Sequence, residues 1–186
     1  AFAIFETALA EDPENAQAQL SMVSYYERMG QDSLARIQQE AVLMNRKLAS
    51  GVKVEMMRHI ILQNEQAGKD STGILQLFDR LLAQPQEDAG MASLCYGYMQ
   101  HRQMDDAQTV PVLERILEME PDNIVARYNL LMVAVREDDY AKAVRICEPA
   151  IQYNPEELAS YYYLGISYFR TERNPDALAV LKKGIG

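Results

Sequence analysis

Three sets of side chains in this sequence have types and spacings that invite a chemical reading. The first is Gly68-Lys69-Asp70-Ser71, which holds the glycine and lysine of a phosphate-binding loop. That motif needs a hydroxyl residue directly after the lysine and a glycine five positions before the second glycine. Asp70 and Gln63 stand in those places, so the segment reads as a turn between helices. The second set is the nucleophiles and metal ligands. Cys95 and Cys147 lie far apart and fit neither a disulfide framework nor a four-ligand zinc pattern, and nothing in the sequence pairs either thiol with a general base. His59 and His101 belong to no zinc-type pattern, and both are expected on partly exposed helix faces. These residues imply no enzyme, no cofactor and no metal.

The third set is Arg102, Arg136 and Arg170, which recur at one constant spacing. A guanidinium can grip a carboxylate through two parallel hydrogen bonds. The chain itself is acidic, with 18 Lys and Arg against 27 Asp and Glu and a formal net charge of -9. That sign is wrong for a protein that tracks a phosphate backbone, so nucleic acid is not an expected partner. The acidity is spread, and no basic arm or acidic tail stands apart. No apolar run reaches the roughly 20 residues needed to cross a bilayer, and neither end reads as a targeting segment.

The elements that position these residues are legible in the prolines. Pro13, Pro85, Pro121 and Pro155 each close one amphipathic run and precede another. From Pro121 to Pro155 the numbering advances by 34, the same step that separates the three arginines, and from Pro85 to Pro121 by 36. From Pro13 to Pro85 it advances by 72, which is two such steps with four residues inserted. The insertion is expected around Ser50 to Lys53, where Gly51 can end a helix. Between prolines the apolar residues recur at three and four, as in Ala143, Val144, Cys147 and Ile151, so each unit reads as two helices. The breaks carry Gly30-Gln31-Asp32, Gly68 to Ser71, Asp105-Asp106, Asp138-Asp139 and Asn174-Pro175. With 186 residues, 48% of them apolar, the chain can bury a sizeable core.

The last unit places Tyr161, Leu164, Gly165, Tyr168, Ala177 and Leu181 at the spacings W-x2-L-G-x2-Y and A-x3-F. The preceding units keep Leu130, Ala143 and Pro155, then Gly97, Leu113 and Pro121, then Leu77 and Pro85, then Tyr26 and Ala35. In these residues the chain resembles the tetratricopeptide repeat family, and a bacterial-type member of it, whose unit is a helix-turn-helix of about 34 residues. The resemblance implies an all-α fold, a right-handed α-α superhelix. It assigns 1–15 to a half repeat and 16–49, 54–87, 90–123, 124–157 and 158–186 to repeats of a single domain. Small residues such as Gly97, Gly165, Ala143 and Ala177 are expected where paired helices approach closely. Ala1, Phe5, Ala8 and Pro13 fit the second half of a unit, and Ile185-Gly186 falls before the next proline slot, so a fragment of a longer repeat protein is expected. Self-association through truncated ends is expected with it.

The resemblance also implies a role. In this family the stripe of each first helix that is not used for packing lines a concave groove. That stripe holds Tyr98, Arg102, then Tyr128, Asn129, Met132, Arg136, then Tyr162, Tyr163, Phe169 and Arg170, with no acidic residue among them. These ten are the expected partner-binding residues of a non-catalytic scaffold for a protein or peptide segment, with carboxylates as favoured ligand groups. The first two units offer a mixed stripe that includes Glu27, Arg28, Glu55 and His59. Two further readings stay open: the arginines also stand near helix C-termini, where exposed carbonyls favour a cation by about 0.3 to 1 kcal/mol, and the chain could instead be a self-associating module that positions an effector domain outside it.

Overall fold

A computed structural model describes residues 2–185. Ala1 and Gly186, on which the expected opening half repeat and the missing proline slot draw, lie outside the described residues. The described chain is eleven α-helices without a strand: α1 (Phe2–Glu11), α2 (Ala16–Arg28), α3 (Asp32–Met44), α4 (Ser50–Gln66), α5 (Thr72–Leu82), α6 (Gly90–His101), α7 (Asp106–Met119), α8 (Ile124–Arg136), α9 (Tyr140–Tyr153), α10 (Leu158–Arg170) and α11 (Asn174–Ile185). The chain divides into two compact units, one ending at Cys95 and one beginning at Tyr96. In the first, α1 packs on α2, α2 on α3 and α3 on α4; in the second, α7 to α11 each pack on the next. This serial packing of helix pairs is that of an α-α solenoid, as the resemblance implies.

The chain reverses after α2, α4, α6, α8 and α10 through one backbone device. The second residue past each of these helices has a left-handed conformation: Gly30, Gly68, Gln103, Asp138 and Glu172, with φ between 54° and 65°. The next N–H then reaches back to the carbonyl of the residue five before it, as Gln31 to Tyr26, Lys69 to Asn64, Met104 to Met99, Asp139 to Ala134 and Arg173 to Tyr168, at 2.8 to 3.1 Å. Each turn thereby closes the carbonyls that a helix end leaves open. The second helix starts at once, and Asp105 and Asp139 accept from the backbone N–H three residues on. Asn15, Asn123 and Glu157 do the same for α2, α8 and α10.

The inserted residues do not form a break. Ser50 to Lys53 are the first turn of α4, the longest of the helices, and Gly51 sits inside that turn rather than ending a helix. The first-unit core gathers Val23, Val42 and Leu48, with Met56 of α4 packed against them. In the second unit Leu131, Ala134, Ala143, Val144, Cys147, Tyr161, Leu164, Tyr168, Ala177 and Val180 form one buried cluster. Gly165 is the closest approach: a Cβ built there would stand 2.5 Å from Leu181 Cγ. Gly97 differs, for nothing lies within 4 Å of such an atom and the residue is exposed.

Two substitutions follow. Gly165→Ala forces Leu181 and α11 outward and is expected to destabilise the chain by about 1 to 3 kcal/mol. Glu172→Gly removes a left-handed non-glycine residue and is expected to stabilise it by up to about 1 kcal/mol, the gain being trimmed by the greater freedom of glycine in the unfolded chain. Urea unfolding followed by circular dichroism reads both, and opposite signs for the two variants are the expected result.

Candidate functional site

The second unit carries an exposed aromatic and aliphatic face on α8 and α10. Tyr128 is 44% exposed, Tyr162 57%, Phe169 66% and Val125 65%. The rings touch edge to face, Tyr162 on Tyr163 at 5.3 Å between centroids and Tyr163 on Tyr128 at 6.4 Å. Burial, and a hydrogen bond with Tyr128, push the Tyr163 hydroxyl above the ordinary tyrosine range. Met132 and Tyr163 are half-buried and rest on the core cluster, and the half-buried Asn129 donates to the Val125 carbonyl of its own helix at 2.8 Å. Tyr128, Tyr162 and Phe169 are therefore the exposed rings of this face, with Tyr163 buttressing two of them. Tyr161 and Tyr168, in core slots of the motif, are buried.

Tyr98 does not join this face. It is 5% exposed, and the Arg102 guanidinium lies 5.9 Å from the centre of its ring. Met91 and Cys95, which share its stripe, are also buried. α6 thus turns inward the residues expected to line a groove, and leaves Gly97 outside. The reason is area: burying a tyrosine, a methionine and a cysteine removes far more apolar surface from water than burying a glycine.

Arg136 and Arg170 stand at the ends of α8 and α10, both exposed, and each reaches the start of the preceding second helix. Arg136 donates to both carboxylate oxygens of Asp106 at 2.8 and 2.9 Å. Arg170 lies 3.8 Å from Asp138 and 4.6 Å over the ring of Tyr140. The acidic residues absent from the stripe are thus supplied by its neighbours from the unit before. Such half-exposed pairs stabilise by only about 0 to 1 kcal/mol. Asp106 and Asp138 belong to the turn segments noted in the sequence, and their spacing from the arginines is a signal that the groove stripe alone leaves out.

Arg127 is the second omission. It holds the place that Tyr161 holds in the next repeat, and it is the one charged side chain among the buried residues described. It donates to the Ile146 carbonyl at 3.0 Å and to the Pro121 carbonyl, and its guanidinium lies 5.7 Å from the Tyr153 ring centre. Desolvation lowers its pKa from the usual arginine value. It fastens α8 to α9 and to the loop before α8. The small hollow beside it, about 20 Å³, has room for little more than a water molecule.

Neither thiol is placed for catalysis. Burial pushes both Cys95 and Cys147 up to about 12, so the reactive thiolate is scarce at neutral pH. Among the described residues no group of three His, Cys, Asp or Glu could hold a metal ion, and no helix is long and apolar enough to cross a membrane.

The comparisons with known proteins agree with the repeat geometry. The family described as Tetratricopeptide repeat matches residues 128–186. Among solved structures, MamA from AMB-1 is 20% identical with a TM-score of 0.51, covering 93% of this chain and 91% of that one. A double mutant of MamA from RS-1 is 20% identical with a TM-score of 0.52, covering 74% of this chain and 76% of that one. At these identities the likeness is one of fold. No curated protein matches the chain.

The two thiols give a signed pH dependence. Unfolded, they ionise near 9.0; folded, they keep their protons to about 12. Their contribution is therefore fully present below pH 9 and is lost as pH rises toward 12, because unfolding then releases protons. Thermal midpoints are expected to fall across that window and to fall less in a Cys95→Ala/Cys147→Ala variant. At neutral pH, iodoacetamide is expected to leave the folded chain unmodified and to alkylate it in urea.

Proposed function

Because the chain is a tetratricopeptide repeat protein, a fold that serves as a protein-interaction scaffold, we propose that it acts without catalysis and binds a protein or peptide segment on the face built by α8 and α10. The observation that carries this reading is the exposed cluster of Tyr128, Tyr162 and Phe169, bordered by Arg136 and Arg170. Rigid aromatic rings supply contact area at low entropic cost, and desolvated aromatics and arginines dominate the energetics of protein interfaces. The arginines favour a segment carrying carboxylates, which exchanges with Asp106 and Asp138 for the guanidinium groups. Arg102, on α6, extends the same periodic series.

A second reading is a self-associating module that positions an effector domain. It is supported by Leu178 and Ile185, 58% and 88% exposed on α11. Light scattering over a wide concentration range separates the two, since a constant monomer mass removes self-association.

The scaffold reading is tested by selecting peptides from a random display library on the wild-type chain and titrating the winners calorimetrically. The expected winners are rich in Asp, Glu and apolar residues. Arg102→Glu/Arg136→Glu/Arg170→Glu together, and Tyr162→Ser alone, are each expected to weaken binding by about tenfold or more, with helicity and thermal midpoint checked alongside. Affinity unchanged in both variants would move the site off this face.

A further inference from the structure

At the starts of α8 and α10 the aromatic face runs into an acidic, partly apolar edge. Ile124 and Leu158 open the two helices, 48% and 65% exposed, one turn before Tyr128 and Tyr162 and on the same side. Tyr153, at the end of α9, adds a ring that is 52% exposed. Asp122 and Glu156, each two residues before the apolar residue that opens a helix, are both exposed. The loops that carry them are joined, for Asn154 donates to the Asp122 carbonyl at 2.9 Å. Ile124 and Glu157 line one small hollow, so the start of α8 lies against the start of α10.

The charge of this edge has one sign. Its charged side chains, Glu120, Asp122, Glu156 and Glu157, are all carboxylates. Glu120 accepts from Asn123, and Glu157 caps α10 through the Ser160 N–H. Arg127 lies beneath the edge, buried and engaged with the Ile146 and Pro121 carbonyls. Lys183, in the last turn of α11, lies 6.0 Å from the Tyr161 ring centre. Among the described residues no cation is ion-paired with Asp122 or Glu156. Arg136 and Arg170 stand at the other end of the same two helices, thirteen residues or about 20 Å away.

Resting on the scaffold reading above, we propose that the segment bound on this face is bipolar and lies in one direction. Its Lys or Arg residues sit over the starts of α8 and α10, beside Asp122 and Glu156. Its apolar residues cover Tyr128, Tyr162 and Phe169, and its carboxylates face Arg136 and Arg170. About six extended residues bridge the two borders. Area supplies the affinity of such a contact, and the opposed charges at its two ends fix its direction.

The test uses the intact chain and three peptides that share one apolar core, Ac-KKLFALFEE-NH2, Ac-QQLFALFEE-NH2 and Ac-EELFALFEE-NH2. The Lys peptide is expected to bind about tenfold more tightly than the Gln peptide, and the peptide acidic at both ends more weakly than either. A nitroxide on the N-terminus of the Lys peptide is expected to broaden the amide resonances of Ile124 and Leu158 and to spare those of Arg136 and Arg170. Asp122→Asn/Glu156→Gln, which leaves the Glu157 cap in place, is expected to remove the preference for Lys over Gln, with the thermal midpoint read alongside. The nitroxide on the wild-type chain decides the direction even if that variant is destabilised. Broadening at Arg136 and Arg170, or at both ends alike, would overturn the proposal. So would a Lys preference that survives in the variant, for it would then belong to the general acidity of the chain. If none of the three peptides binds on α8 and α10, the scaffold reading itself fails and the bipolar segment fails with it.

Discussion

The helices of this chain, from the ten residues of α1 to the seventeen of α4, are too short to hold themselves together in water, and each must be folded back on a neighbour before its apolar stripe is covered. The left-handed residue two places beyond α2, α4, α6, α8 and α10 makes that reversal possible in so few residues. It engages the helix-end carbonyls with local N–H groups and lets the second helix begin immediately. The fold tolerates Gln103, Asp138 and Glu172 in this conformation as well as the less strained Gly30 and Gly68, which shows how strongly the packing on either side fixes the turn.

The same turns place the ion pairs that border the proposed binding face. An arginine that ends one first helix lies beside the acidic residue that opens or precedes an earlier second helix, as Arg136 beside Asp106 and Arg170 beside Asp138. The result is a border of weak ion pairs along an aromatic face, without an uncompensated row of cations. Arg127 shows the opposite solution. Buried where the next unit has Tyr161, it is tied down by backbone carbonyls and serves the packing of α8 on α9.

The two units differ in the surfaces they carry. The first has a cavity lined in part by the buried Gln39 and the Glu27 carboxylate to which it donates. The second has tyrosines and a phenylalanine standing clear of the core. Helix pairs of one design can present either, because the stripe that is spared from packing is free to vary in chemistry while the packed stripe is not.

The sequence by itself determined the helix pairs and their turns, because apolar spacing, capping residues and proline intervals act over a few residues at a time. It also determined which tyrosines are buried in the last unit, where the small-residue slot at Gly165 is filled by Leu181. It misplaced Tyr98 and Gly97, since the rotation of α6 is decided by the total area that Met91, Cys95 and Tyr98 remove from water together. Tertiary structure alone paired Arg136 and Arg170 with their carboxylates and gathered Glu27, Gln39, His59 and Gln63 around one cavity, for these contacts join side chains on different helices, often a whole repeat apart in the chain. Such distances are set by how one helix packs on the next, and no local pattern of residue types records them.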